Sequence, residues 1–198
     1  MRTLIILNGE LESPTYLKKL SFDFDYIICA DGGYDKAVKA DITPGLLIGD
    51  FDSCELSNFK GEQITFPAEK DKTDGELAIE EAFLRGANEV VLTCALGGRC
   101  DHMFANLYLV SRYKNVYILE HNQSIFYVND VFEISNKQGT TVSLIPTFDS
   151  VVSLSGFKYE VKCTNFTPGS TLGMSNIVLG KNAKIEVKSG GLFLFINE

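Results

Sequence analysis

Apolar residues fall in short runs through the first part of the chain: Thr3–Leu7, Tyr26–Ala30, Leu46–Ile48, Gln63–Phe66, Val90–Thr93 and Val116–Leu119. Runs of this length predict buried strands. Helical patterns lie between them. The clearest begins at Thr73, where Thr73 and Glu76 spell a capping box. Ile79, Ala82, Phe83 and Gly86 follow at helical spacing, and Gly86 is a natural stop. A second predicted helix runs from about Asp101 to Arg112, with Met103, Leu107 and Val110 on one side. Such alternation predicts an α/β fold, a mostly parallel sheet flanked by helices and Rossmann-like in its winding.

The pattern changes after about Asn122. From Ile125 onward no helical period is found. Phe132–Ile134, Thr141–Ile145, Val151–Leu154, Lys158–Val161, Asn176–Leu179, Lys184–Val187 and Leu192–Ile196 read as strands. Turn residues punctuate them, as at Pro168–Gly169 and Gly180–Asn182. Regularly spaced short strands predict a small antiparallel β-sandwich. The expected organisation is an α/β domain over residues 1–122 and an all-β domain over 123–198.

Composition narrows the class. The chain has 198 residues, is 45% hydrophobic and 22% charged, and carries a net charge of −8. No basic run exists to grip a phosphate backbone, which disfavours nucleic acid as a partner. Five cysteines, never spaced C-x-x-C, argue against a disulfide framework or a zinc site. Cys29 and Cys94 lie in apolar runs, as buried thiols do. No segment has the length of a membrane span, and Leu4–Leu7 is too short for a signal-peptide core. A cytoplasmic location is the expectation.

The informative feature is the placement of aspartates. In an open α/β sheet, ligands bind beyond the carboxyl ends of the strands. Ile28-Cys29-Ala30 leads into Asp31-Gly32-Gly33, and Leu47-Ile48 into Gly49-Asp50-Phe51-Asp52-Ser53. Phe66 leads into Lys70-Asp71-Lys72-Thr73-Asp74, and Ala95-Leu96 into Gly97-Gly98-Arg99-Cys100-Asp101-His102. Four strand ends therefore deliver acids to one edge. Crowded carboxylates repel and raise one another's pKa. A hard cation removes that conflict, since magnesium pairs one or two carboxylates with substrate phosphates. Asp50 and Asp52 have a spacing that can aim both at one ion. The planar fork of Arg99, ahead of a helix N-terminus, suits phosphate oxygens. Metal-assisted phosphoryl chemistry follows from this set.

Each turn also has a simpler reading. Asp31-Gly32-Gly33 fits a strand-to-helix turn, and Asp50-x-Asp52-Ser53 fits an N-cap. Thr73 is a cap in either case, leaving Asp71 and Asp74 as the candidates there. His102 could serve a local hydrogen bond. It is the coincidence of four such turns that favours chemistry. G-x-x-x-x-G-K-[ST] and G-x-G-x-x-G are both missing. The residues themselves thus reach metal-assisted phosphate chemistry on an α/β sheet and stop there. A non-catalytic, metal-binding nucleotide sensor remains open at this point.

These segments resemble the bacterial thiamine pyrophosphokinase family. The likeness rests on Asn8-Gly9, Ala30 to Gly33, Pro44 through Ser53, Phe66-Pro67 with Lys70 to Asp74, and Gly97 to His102. In the sandwich it rests on Gly156-Phe157-Lys158-Tyr159 and Ser175-Asn176. The resemblance implies transfer of the pyrophosphoryl group of ATP to the hydroxyl of thiamine, releasing AMP. It implies a Mg2+ site at Asp50, Asp52 and Asp74, with Arg99 stabilising phosphoryl charge and Asp101 orienting the reacting groups. Asp31, Lys70, Asp71 and His102 would lie with Arg99 about the ATP. Thiamine would meet Tyr159, Ser175 and Asn176 at the interface of a homodimer. Some relatives carry a stacking Trp where this Trp-free chain has Tyr159. A phenol can stack with a smaller face. The same metal chemistry on another alcohol, such as a hydroxymethyl pterin, is the competing acceptor.

Overall fold

The computed structural model describes residues 1–50, 59–67 and 69–197. The chain divides into two units, Met1–His121 and Asn122–Glu198. Among the described residues the first unit contains strands β1 (Arg2–Ile6), β2 (Tyr26–Ala30), β3 (Leu46–Gly49), β4 (Glu62–Thr65), β5 (Glu89–Thr93) and β6 (Val116–Leu119). Its helices are α1 (Pro14–Ser21), α2 (Gly33–Lys39), α3 (Asp74–Leu84) and α4 (Cys100–Arg112). The strands lie in the order β6-β5-β1-β2-β3-β4, every neighbour parallel. From β1 the chain walks outward to β4, then returns to the other side of β1 for β5. That reversal opens a crevice beyond the carboxyl ends of β1 and β5.

Both faces of this sheet are covered, which is why its strands read as runs rather than alternations. Leu4, Ile6, Cys29, Leu47 and Val91 form one core with Leu17 and Leu20 of α1 and Tyr34 and Ala37 of α2. The alternate residues Ile5, Ile28, Leu46, Ile48 and Leu92 are equally buried, and α3 packs on β1, β2 and β3. The helix α3 starts as its sequence predicts, with Thr73 Oγ1 accepting the Glu76 N–H at 3.2 Å. Only that half of the capping box forms. The Glu76 carboxylate turns to Arg112 Nη1 at 2.9 Å and the Tyr113 hydroxyl at 3.3 Å. Gly75, Ala78, Ile79 and Ala82 make the buried stripe, and Gly86 closes the helix at φ +86°.

The second unit has β7 (Gln123–Val128), β8 (Val131–Ser135), β9 (Thr141–Pro146), β10 (Ser150–Ser155), β11 (Val161–Phe166), β12 (Asn176–Ile177), β13 (Asn182–Ser189) and β14 (Leu192–Asn197). Two antiparallel ladders form, β12-β9-β14-β7 and β11-β10-β13-β8. One core is drawn from both, with Val142, Leu144 and Leu194 from the first and Val152, Ile185 and Val187 from the second. This is a sandwich.

Three expectations need correction. A mostly parallel sheet describes the first unit only, and strand pairing over the whole chain is mixed. The predicted strand Lys158–Val161 is a turn: Gly156 sits at φ +80°, its N–H donates to Glu160 Oε1 at 2.6 Å, and pairing starts only at Val161. The sequence reading also passed over β7, whose Gln123, Ser124 and Tyr127 dilute its apolar signal.

Candidate active site

Three strand ends and two helix starts of the first unit line one cleft of about 340 Å³. Leu7, Asn8 and Gly9 follow β1, and Ala30 and Asp31 end β2. Ala95, Gly97, Gly98 and Arg99 follow β5. Thr73, Asp74 and Gly75 open α3, and His102, Met103 and Asn106 come from α4. The cleft sits at the reversal of strand order, where an α/β sheet holds its ligand.

Close backbone packing builds its floor. A Cβ at Gly33 would collide with the Ile6 carbonyl, so β1 and the start of α2 can approach only with glycine there. Asp31 takes a left-handed backbone, φ +46°, and donates its N–H to Ile48 O at 2.8 Å. That conformation is uncommon for a residue with a Cβ and marks a position held by its surroundings. Asp50 is half-buried at the end of β3. A Cβ on the preceding Gly49 would stand 3.2 Å from Asp31 Cα, so the ends of β2 and β3 touch. Asp52 lies outside the described residues.

The wall after β5 carries the cation. Gly97 and Gly98 both have positive φ, +73° and +64°, a bend few other residues accept. Arg99 then caps α4 with its backbone extended. Its fork reaches Asp101, with Nη2 2.6 Å from Oδ2 and Nε 3.2 Å from Oδ1, and the His102 N–H donates to the same Oδ1 at 3.0 Å. The Arg99 guanidinium, helped by that N–H, pulls the Asp101 carboxyl down to about 2, and Asp101 in turn raises Arg99. Both side chains are exposed. Asp101 therefore aims the guanidinium while staying ionised.

Asp74, at the start of α3, stands out electrostatically. Its Oδ1 is buried and lacks a hydrogen bond among the described residues. Lys70 Nζ lies 3.0 Å away at ion-pair distance, outside hydrogen-bonding geometry. An under-coordinated carboxylate oxygen in a polar cleft has the chemistry of a hard-cation ligand. That chemistry suits one ligand of a magnesium ion; among the described residues no group of three His, Cys, Asp or Glu gathers.

The candidates fall into distinct places. Asp31, Asp74, Arg99 and His102 line the cleft. Lys70 and Asp101 touch it through Asp74 and Arg99, and Asp71 is exposed on the segment before α3. Asn106 was not foreseen. Its Nδ2 donates to Ala95 O at 2.8 Å, tying α4 to the wall after β5. Its place one turn beyond Met103, on the side of α4 expected to be apolar, was the available signal.

In the second unit, Asn176 is buried and joins two segments. Its Oδ1 accepts from the N–H of Tyr159 at 3.0 Å and of Ile177 at 2.9 Å, and its Nδ2 donates to Tyr159 O at 2.8 Å. Ser175, at φ +54°, donates its N–H to Ser143 Oγ at 3.1 Å. The Tyr159 ring is exposed, with Lys158 Nζ 5.3 Å from its centroid.

A parallel sheet with an acid-lined cleft at its reversal point, joined in one chain to an antiparallel sandwich, defines a phosphate-handling α/β enzyme with an added β module. Comparison with known proteins makes the class particular. Residues 17–119 match the thiamin pyrophosphokinase catalytic domain, and residues 131–192 match the thiamin pyrophosphokinase vitamin B1 binding domain. The chain belongs to the thiamin pyrophosphokinase family and is an enzyme with that family's activity, pyrophosphoryl transfer to thiamine. It is similar to thiamine pyrophosphokinase of Bacillus subtilis strain 168, 28% identical over 183 residues, covering 84% of this chain and 85% of the relative. It is also similar to thiamine pyrophosphokinase 1 of Arabidopsis thaliana, 26% identical over 94% of this chain and 82% of the relative. The solved thiamin pyrophosphokinase of Geobacillus thermodenitrificans superposes with a TM-score of 0.85 at 26% identity, over 100% of this chain and 98% of the other. No helix among the described residues is long and apolar enough to cross a membrane.

Proposed function

We propose that the cleft of the first unit binds the polyphosphate of ATP and that the second unit supplies the thiamine pocket. The observation that carries the reading is the convergence of Asp31, Asp74, Arg99 and the Gly97-Gly98 bend on one cleft at the sheet's reversal point. Backbone N–H groups at the start of α4 and the Arg99 fork would receive phosphate oxygens. Lys70 would supply a second positive charge, with Asp31, Asp71 and His102 about the nucleotide. Asp50, Asp52 and Asp74 would hold Mg2+, which would supply neutralisation of the phosphate charge.

The thiamine hydroxyl oxygen attacks the β-phosphorus. A new O–P bond forms, the bond from the β-phosphorus to the oxygen shared with the α-phosphate breaks, AMP leaves with that oxygen, and the hydroxyl proton is lost to solvent. Catalysis of this kind is mostly positioning and charge neutralisation. Arg99, aimed by Asp101, faces the phosphoryl group on which charge builds. Tyr159 would stack on the thiamine ring. Asn176 holds the Tyr159 backbone at both its N–H and its C=O, and Ser175 flanks it. A homodimer with the site at its subunit interface and a cytoplasmic setting complete the proposal. Buried Cys29 and Cys94, both free thiols, support the latter.

The test incubates the protein with Mg-ATP and thiamine and separates products by chromatography. AMP and thiamine diphosphate should appear in equal amounts. A hydroxymethyl pterin offered in competition should not be consumed. ATP binding without product would favour the nucleotide-sensor alternative.

A further inference from the structure

We propose that Glu120, directly after β6, is a positioning residue that sets the Gly97-Gly98-Arg99 wall of the cleft by gathering the backbone N–H groups of Cys94 and Ala95. The inference rests on reading that cleft as the nucleotide site. Glu120 Oε2 accepts from the Cys94 N–H at 3.2 Å and from the Thr93 hydroxyl at 3.5 Å, and Oε1 accepts from the Ala95 N–H at 2.7 Å. The carbonyls of the same residues point the other way. Cys94 O and Leu96 O accept from the N–H groups of Gly9 at 2.7 Å and Glu10 at 2.8 Å, and Ala95 O accepts from Asn106. The Cys94–Ala95 peptide is therefore held on both sides. Among the described residues Glu120 is the acceptor for the Cys94 and Ala95 N–H groups, and the segment runs directly into the two positive-φ glycines and Arg99.

The arrangement is costly without a function. Cys94 adopts φ +49° to present its N–H. Burial pushes the Glu120 carboxyl up to about 7 against the pull of the backbone N–H groups, and Glu12 adds to the rise. Other ionisable groups around it are the Cys94 thiol, pushed up to about 12 by its own burial, Lys36 on α2, which acts on that thiol, and His121, whose Nδ1 is 4.0 Å from Glu12. A carboxylate has acceptor sites enough for three donors. A protonated acid or an amide turns a donor toward them.

The experiment compares the wild type with Glu120→Gln in two readouts: amide-exchange protection factors over residues 94–99, and steady-state kinetics with ATP and thiamine varied separately. Glu120→Gln should lower protection at 94–99 and reduce kcat/KM for ATP by about tenfold or more, leaving the KM for thiamine within about twofold. In the wild type, kcat/KM for ATP should fall as pH drops through about 7, an acid limb that Glu120→Gln abolishes. Unchanged ATP kinetics in the folded variant overturn the proposal, whatever the exchange shows. Should Glu120→Gln not fold, Glu120→Asp decides: its carboxylate, one methylene shorter, should lower protection at 94–99 and kcat/KM for ATP together, and unchanged ATP kinetics there overturn the inference. An inactive wild type in which either variant lowers protection would sink the nucleotide reading and leave Glu120's hold on the loop intact.

Discussion

Glu120 makes a prediction about stability whose sign is opposite to that for activity. Its carboxyl is raised from 4.5 to about 7 in the folded chain, chiefly by burial. Between those values the folded protein keeps a proton that the unfolded chain has lost. Stability from this group is therefore fully present below about 4.5 and is lost as pH rises through about 7. At about 1.4 kcal/mol per unit, the whole effect is about 3 kcal/mol. The chain's isoelectric point near 4.8 restricts work to higher pH. From pH 5.5 to 8 about 2 kcal/mol remains to be read. The assay is urea unfolding of wild type and Glu120→Gln across that range. The difference in unfolding free energy between the two should change by about 2 kcal/mol, the wild type losing ground as pH rises. Other titrating groups cancel in the difference. Parallel pH profiles for the two proteins would refute the assignment of a buried, perturbed carboxyl at this position.

Other outcomes follow from single contacts. Asp74→Asn should lower turnover at least about a hundredfold and weaken Mg2+ binding measured by calorimetry, with the fold intact because Thr73 still caps α3. Thr73→Ala should cost about 1 kcal/mol in urea unfolding through the lost cap. Asn176→Ala should cost about 2–4 kcal/mol, since three hydrogen bonds at a buried site are lost together. Retained stability would mean the Tyr159 turn is held by other contacts. Asp101→Asn should leave the acid limb near pH 7 where it was, because Asp101 titrates at about 2; a shifted limb would place Asp101, rather than Glu120, behind it.

The first unit was legible because its central strands β1, β2, β3 and β5 are buried on both sides and so declare themselves as apolar runs; β4, expected to be buried, is an edge strand and mostly exposed. Helices α1 and α2 were less so. α1 has eight residues, begins with Ser13 accepting the Tyr16 N–H, and carries Lys18 and Lys19 in its last turn, leaving few positions to show a period. The turn around Tyr159 was misread because Lys158-Tyr159 has strand-like composition, whereas Gly156 and Glu160 impose a bend through backbone contacts. The same limit applied at the site. Acids beside glycines at strand ends could be seen, and Asp31, Asp74 and Arg99 do share a cleft. The polar Asn106 on an otherwise apolar side of α4 was the sole hint of its bond to Ala95 O, and the bond that Glu120 accepts from the Ala95 N–H left no local signature, because the two residues lie 25 apart.

The two kinds of acid in this unit answer different electrostatic problems. Asp101 is exposed and spanned by Arg99, so its charge is easily kept. Glu120 is half-buried, hydrogen-bonds only to dipoles and is repelled by Glu12, so its charge is held at a cost that hydrogen bonds reduce without removing. An apolar residue at position 120 would spare that cost and leave the N–H groups of Cys94 and Ala95 buried and unpaired, which is worse. Within a parallel sheet those amides belong to a segment that has left its ladder to form the cleft. A side-chain acceptor is the available substitute, and Glu120, the residue directly after the adjacent strand β6, is placed to provide it. The position of the Gly97-Gly98-Arg99 wall and the ionisation of one half-buried carboxyl are thus a single physical requirement.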